Sequence, residues 1–271
     1  MSGMRANTQC EHQLAFDRVA EEYDDARPLF GDDLIQSLAD VSGLVLGDRV
    51  LEIGAGTGQL TVGLIGSGLT VTAIEPGEAM RAVLARKLGG SEKLTVSGAR
   101  FEDFTSGGRY RAVLAANSFH WLDPVASYPR AADFLDAGGH LCLLWNYPLV
   151  RPDLQARLNE GVFRQHPDFA GDKQSQLAAL HESAADGRQE LISSGLFGMP
   201  WWQWRTDHFD IDAGRYVRLL SSYANIACLD ADERKQFAGS VGRELAAMHV
   251  SQVPITNHIY AVVARVKDRT R

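Results

Sequence analysis

The stretch Arg49-Val50-Leu51-Glu52-Ile53-Gly54-Ala55-Gly56-Thr57-Gly58-Gln59-Leu60 constrains this chain more than any other. Val50, Leu51 and Ile53 read as a short buried strand, and the glycines behind them demand a tight strand-to-helix turn. A turn without Cβ atoms lets a ligand lie against the backbone, facing the amides of the next helix's N-terminus. The spacing narrows the choice of ligand. A dinucleotide fingerprint, Gly-x-Gly-x-x-Gly, needs a glycine at its sixth position, where helix packs on strand. Counting from Gly54, that position is Gln59, and the third glycine comes one residue early, at Gly58. The pattern is acidic-x-Gly-x-Gly-x-Gly, with Glu52 as its acidic member.

The flanking chain alternates in the manner of repeated βαβ units. Phe16, Val19, Ala20 and Tyr23 share one face of a short helix that stops before Pro28, and a second helix is expected over residues 32–41. Strand one (49–53) leads into a helix over 57–65. Strand two (70–74) ends in Glu75-Pro76-Gly77, and the next helix turns Met80, Val83, Leu84 and Leu88 inward. Strand three covers 94–97 and strand four 112–116. Asp123 can cap a helix with Pro124 in its first turn and Val125, Tyr128, Ala131 and Leu135 inside. Gly138-Gly139 would end that helix before strand five (140–145). Residues 149–198 break the rhythm and read as a helical insertion or lid. A strand near 202–208, helices near 213–228 and 232–249, and a last strand over 255–266 follow.

Composition excludes several classes. The 271 residues are 45% hydrophobic and 23% charged, with net charge −7, so no global field attracts nucleic acid. The one basic cluster is residues 267–271, and residues 1–11 read as disordered. Cys10, Cys142 and Cys228 are scattered, which suits a reducing, cytoplasmic setting and argues against disulfides or a zinc site. No apolar run approaches a membrane span, and the polar N-terminus lacks a signal-peptide core. His166 with Asp168, or His181 with Glu182, lack the i, i+4 spacing of a helical zinc pair, so no metal is expected. A Gly-x-Ser-x-Gly elbow and a P-loop are both missing.

In a doubly wound sheet, ligands bind outside the carboxyl ends of the strands. Glu75 stands there, about 20 residues after the first glycine, where a carboxylate can accept both hydroxyls of a ribose. Nicotinamide enzymes share that feature, so Glu75 discriminates only together with Glu52 and the spacing of Gly54, Gly56 and Gly58. In that combination the stretch resembles motif I of the class I S-adenosylmethionine-dependent methyltransferases. Phe16 to Pro28, including Tyr23 and Arg27, is similar to the N-terminal signature of small-molecule methyltransferases related to trans-aconitate methyltransferase. Ser118-Phe119-His120-Trp121-Leu122-Asp123 is similar to the His-Trp segment those proteins often carry after strand four. Leu220 to Tyr223 and the final strand agree less specifically. The resemblance covers residues 14–148 well and 200–266 loosely.

The resemblance implies an α/β fold, a doubly wound, Rossmann-like and mostly parallel seven-stranded sheet. N-terminal helices would cover the cofactor site (1–46), ahead of the cofactor-binding core (47–148). A helical cap would follow strand five (149–198), and the C-terminal part of the sheet would close the chain (199–271). It further implies S-adenosylmethionine as cofactor, with S-adenosylhomocysteine as product. The backbone of Gly54, Ala55, Gly56, Thr57 and Gly58 would hold its methionine end, with Glu52 orienting the amino group or the loop. Glu75 would bind the ribose, while Pro76 and Met80 would pack on the adenine. Arg100 and Phe101 replace the family's usual acidic-small pair, with Phe101 able to stack and Glu102 to substitute. Asn117 would bring the main chain to the sulfonium, and Tyr23 and Arg27 would close over the cofactor, although helix packing explains them as well.

A sulfonium methyl is already activated, so the protein must align a nucleophile and exclude water. His120 can act as base if the acceptor must lose a proton, as hydrogen-bond donor to a carboxylate, or only in packing. Phe119, Trp121, Trp145 and Tyr223 are the aromatic residues expected to meet the substrate. Trp201, Trp202 and Trp204 can line an acceptor pocket or simply pack a strand. The implied reaction is methyl transfer to an oxygen, nitrogen or carbon of a small molecule, with no nucleic-acid or membrane partner. Competing readings are a protein of this fold that binds cofactor without methylating, a nucleic-acid methyltransferase, and a nicotinamide oxidoreductase.

Overall fold

Every residue of β1 (Arg49–Ile53) after Arg49 is buried. A strand covered on both faces needs consecutive rather than alternating apolar residues, which is what Val50, Leu51 and Ile53 provide. In the computed structural model the described residues are 15–166, 169 and 173–268. The expectations placed on residues 1–11, Cys10, Asp168 and residues 269–271 lie outside them.

Two helices, α1 (Ala20–Ala26) and α2 (Asp32–Ser42), precede β1. The chain continues through α3 (Thr61–Gly66), β2 (Thr70–Ile74), α4 (Glu78–Leu88), β3 (Leu94–Ser97) and β4 (Tyr110–Ala116). A 3-10 turn (Phe119–Trp121), α5 (Pro124–Phe134), β5 (Leu135–Val150) and α6 (Pro152–Glu160) follow. A second 3-10 turn (Val162–Gln165), α7 (Lys173–Ser193), β6 (Trp201–Asp212), α8 (Ala213–Ser221), α9 (Ala224–Ala227), α10 (Ala231–Ala247) and β7 (Gln252–Arg265) complete it. The seven strands form one sheet in the order β3-β2-β1-β4-β5-β7-β6. The pairs β1–β2, β1–β4, β2–β3 and β4–β5 are parallel, and the sheet is mostly parallel with one antiparallel hairpin. Strand order reverses between β1 and β4, the kind of point at which such sheets bind ligands.

Several local expectations are corrected. The helix after β1 starts at Thr61 rather than Thr57, because left-handed backbone at Gly56 and Gly58 cannot continue into a helix. No helix joins β3 to β4. Val125 is exposed, and Leu135 lies in β5 rather than α5. Gly138-Gly139 does not end α5; Leu135, with extended backbone, does. The two glycines instead lie in an irregularity of β5, where pairing jumps from Tyr110–Leu135 to Ala112–His140. Gly138 has φ +73°, and a Cβ at Gly139 would lie 3.0 Å from the Arg111 carbonyl oxygen, so glycine lets the strand rejoin its register. The helix expected over 213–228 is broken into α8 and α9.

The chain divides into two compact units, each built from three separated segments. The described parts of Pro28–Asn146, Ala184–Trp204 and Ile259–Arg271 form the core unit. Its interior joins Leu34, Ile35 and Leu38 of α2 to Val50, Leu64, Val71, Leu114, Leu144 and Val263. The described parts of Met1–Arg27, Tyr147–Ser183 and Arg205–His258 form the second unit, packed around Leu154, Leu158, Phe163, Leu219, Phe237 and Val241. Here α10 begins with a capping box: Asp230 accepts from the Glu233 amide at 2.8 Å and the Asp230 amide donates to Glu233 at 3.1 Å.

Candidate functional site

The loop after β1 has φ of +66° at Gly54, +57° at Gly56 and +96° at Gly58. A side chain is excluded there by space as well as by backbone. A Cβ at Gly54 would meet Cβ of Ser118 at 2.5 Å, and one at Gly58 would meet Leu84 at 2.7 Å. Most loop amides are already engaged. Those of Gly54 and Ala55 donate to the Ile74 carbonyl at 2.8 and 3.0 Å, and that of Gly58 donates to Ala55. Instead of a helix start with free donors, the loop offers a bare surface, with Gly54 and Gly56 part-exposed and Ala55 and Thr57 buried.

Two carboxylates define the loop's underside and rim. Glu52 is buried and accepts a hydrogen bond from the Thr61 hydroxyl at 2.7 Å. Burial pushes its carboxyl up to about 8; the Thr61 bond opposes this and the negative Glu75 adds to it. At pH 7 Glu52 is mostly neutral, which spares the site two adjacent negative charges. Glu75 accepts from the Gly56 amide and the Gly77 amide, each at 2.8 Å through a different carboxylate oxygen. It thereby ties the loop after β1 to the one after β2. Arg81 donates to the Glu75 carbonyl at 2.8 Å and fixes the same turn.

At the end of β4, Asn117 adopts φ +52°, a conformation that asparagine tolerates better than most residues. Its side chain is held by Asn146: the Asn117 Nδ2 donates to Asn146 Oδ1, and the Asn146 amide donates back to Asn117 Oδ1 at 3.0 Å. Asn146 escaped the sequence reading, although a polar residue closing the apolar run Leu141 to Trp145 was a usable signal. Ser118, also missed, donates to the Ile53 carbonyl and so links this segment to the glycine loop. The 3-10 turn then buries Phe119 against Tyr128, with ring centroids 5.0 Å apart, and leaves His120 exposed beside Trp121 at 4.9 Å. Desolvation of the His120 ring draws its pKa down from 6.5 to about 4, so the imidazole is neutral at pH 7.

Other expected contacts fall differently. Met80 is buried in the core on α4, and Phe101 is buried against Phe134 and Arg130. Pro76 is exposed, and Arg100 and Glu102 form an exposed ion pair at 3.6 Å. Trp145 is buried against Tyr260, at 6.0 Å, and against Gly187 of α7. Trp202 and Trp204 also pack on Tyr260, which favours the strand-packing reading of that aromatic run. Among the described residues, no group of three or more His, Cys, Asp or Glu side chains could hold a metal ion. No described helix is long and apolar enough to cross a membrane.

The second unit holds Tyr23, Arg27 and Tyr223, and brings the three together. The Arg27 guanidinium lies 5.1 Å from the Tyr23 ring centre and 4.3 Å from that of Tyr223. It also donates to the Ser222 hydroxyl at 2.9 Å and the Ser222 carbonyl at 3.2 Å. The same unit contains a cavity of about 310 Å³, lined in part by Tyr147, Phe163, Leu180, Tyr216, Leu220 and Tyr223.

Residues 50–139, which hold the loop, both carboxylates and the His120 turn, match the family model described as methyltransferase domain. Over those residues the chain is similar to methyltransferase domains. An uncharacterized methyltransferase of Mycobacterium tuberculosis is 35% identical over 133 residues, covering 49% of this chain and 52% of the relative. One of Geobacillus kaustophilus is 42% identical over 79 residues, covering 28% of this chain and 35% of that one. The chain thus spans about half the length of the Mycobacterium relative it matches. The fold also has solved counterparts. A chain of Anaeromyxobacter dehalogenans assigned to the type II methyltransferases superposes with TM-score 0.59 at 16% identity, covering 88% of this chain and 97% of that one. A methyltransferase of Thiobacillus denitrificans, solved with S-adenosylhomocysteine, gives 0.51 at 16% identity, covering 91% and 97%. At such identities the likeness establishes the fold.

Proposed function

We propose that the protein transfers a methyl group from S-adenosylmethionine to a nucleophile of a small molecule, oxygen first, with nitrogen or carbon as alternatives. The observation that carries this reading is the loop of three left-handed glycines at the strand-order reversal, clamped by Glu75 within a stretch similar to methyltransferase domains. The residues fit the cofactor. Gly54 and Gly56 leave backbone accessible to it, and Glu75 stands at the rim of the loop, held there by the Gly56 and Gly77 amides. When bound, the cofactor supplies an activated methyl on a sulfonium.

The chain's own residues then have three tasks. The Asn117–Asn146 pair fixes the backbone at the end of β4, where main chain would approach the reacting centre. Phe119 anchors the 3-10 turn that presents His120 and Trp121. His120, neutral at pH 7, takes the proton of a hydroxyl acceptor or donates a hydrogen bond to it. The net charge of −7 favours a small-molecule acceptor over a polyanionic nucleic acid.

Calorimetric titration with S-adenosylmethionine, S-adenosylhomocysteine and NADH in parallel tests the reading. Micromolar-range binding of the first two, lost in Glu75→Ala, is the expected result. Binding of NADH alone would overturn it.

A further inference from the structure

We infer that the cavity of the second unit is a binding site for a neutral, largely apolar, ring-bearing molecule. The cavity is lined by the last residues of β5, by α6, α7 and α8, and by Tyr223. Its volume of about 310 Å³ lies at the lower end of the ~300–1,000 Å³ range of ligand pockets, room for one or two rings.

The chemistry of the wall selects the ligand. Among the described lining residues none is Lys, Arg, His, Asp or Glu. A carboxylate entering such a space would lose its hydration without gaining a counter-charge, which is strongly unfavourable. Arg27, the cation packed on Tyr223, is already committed to Ser222 and to its two tyrosine faces. The polar atoms that remain are neutral. Burial pushes the hydroxyls of Tyr147, Tyr216 and Tyr223 upward, so they stay protonated and can donate as well as accept. Gln155 is pinned by its own donors, to Asn159 at 2.9 Å and the Phe169 carbonyl at 2.7 Å, and so presents a fixed orientation. An apolar wall with a few oriented, uncharged hydrogen-bonding groups suits a phenol or a comparable hydroxylated ring. It does not suit a dicarboxylate.

The test is calorimetric titration of the full chain with 2-naphthol and with glutarate, each with and without S-adenosylhomocysteine. Two variants accompany it: Leu180→Glu, which puts a charge in the wall, and Ala179→Trp, which fills the space from an exposed position of α7. The expected result is binding of 2-naphthol, none of glutarate, and at least a tenfold loss in both variants with S-adenosylhomocysteine binding kept. Failure of 2-naphthol to bind, equal binding of glutarate, or unchanged binding in both variants would overturn the inference. Because the naphthol titration needs no cofactor, a failed methyltransferase reading would show separately, as absent S-adenosylhomocysteine binding.

Discussion

Glu52 shows how far an environment can move a residue from its ordinary behaviour. Its carboxyl ionises near 4.5 in an unfolded chain and near 8 when buried here. Between those values folding takes up a proton, so this group's stabilising contribution is complete below pH 4.5 and is lost as pH rises through 8. Within that window the slope is about 1.4 kcal/mol per pH unit. Glu52→Gln keeps an acceptor for Thr61 and has no charge to form. Urea unfolding at pH 5.5 and 8.5 should therefore show the variant gaining on the wild type at the higher pH. Parallel pH dependence in the two proteins would refute a buried, neutral Glu52. His120 lies at the opposite extreme, exposed but drawn toward neutrality. As a base it must be unprotonated, so the methylation rate should hold through neutral pH and fall only as pH descends toward about 4. Replacing it in His120→Ala should lower kcat by roughly 10²-fold or more, with cofactor affinity unchanged. Equal turnover would assign His120 to packing.

At the scale of elements, the core strands follow from their apolar runs, and β2 and β3 fall on the residues that alternation with helices marks out. The ends of elements are less legible. Why α3 starts late and β5 starts early depends on glycines in close approach to neighbours remote in sequence, Leu84 for Gly58 and Arg111 for Gly139. Two glycines separate backbone strain from steric clash. Gly47, at φ +89°, has nothing within 4 Å of a built Cβ, so Gly47→Ala should incur only the backbone term, on the order of 1 kcal/mol. Gly54→Ala adds a 2.5 Å approach to Ser118, and should cost clearly more and displace the segment carrying Asn117. Denaturant unfolding and cofactor titration of both variants check this; equal losses would mean that Ser118 yields without consequence.

For the whole molecule, cofactor binding should appear as global stabilisation of the native state. S-adenosylhomocysteine at one hundred times its Kd would add about 2.7 kcal/mol, a rise in Tm of roughly 5–10 °C for a chain of this size. NADH at the same concentration should leave Tm unmoved, and an equal rise with NADH would contradict the methyltransferase reading. The grouping of chain segments into units was the least legible level. The segment 149–198 reads as an insertion, yet its residues up to Ser183 join the N-terminal segment and Arg205–His258 in one unit, while those from Ala184 belong to the core unit. A change of rhythm marks where a pattern breaks, but not which distant segments will share a core.

The order of strands and helices, the glycine spacing, and the placement of Glu52, Glu75 and Asn117 at strand ends were readable from the chain, because each depends on residues close in sequence. Tertiary structure decided what those residues touch. It buried Met80 and Phe101, paired Asn117 with Asn146, set Arg27 between two tyrosines, and lined a cavity whose described residues are all uncharged. Each of these joins residues far apart along the chain, and hydrophobic burial and hydrogen-bond satisfaction select such partners only after the chain has closed on itself.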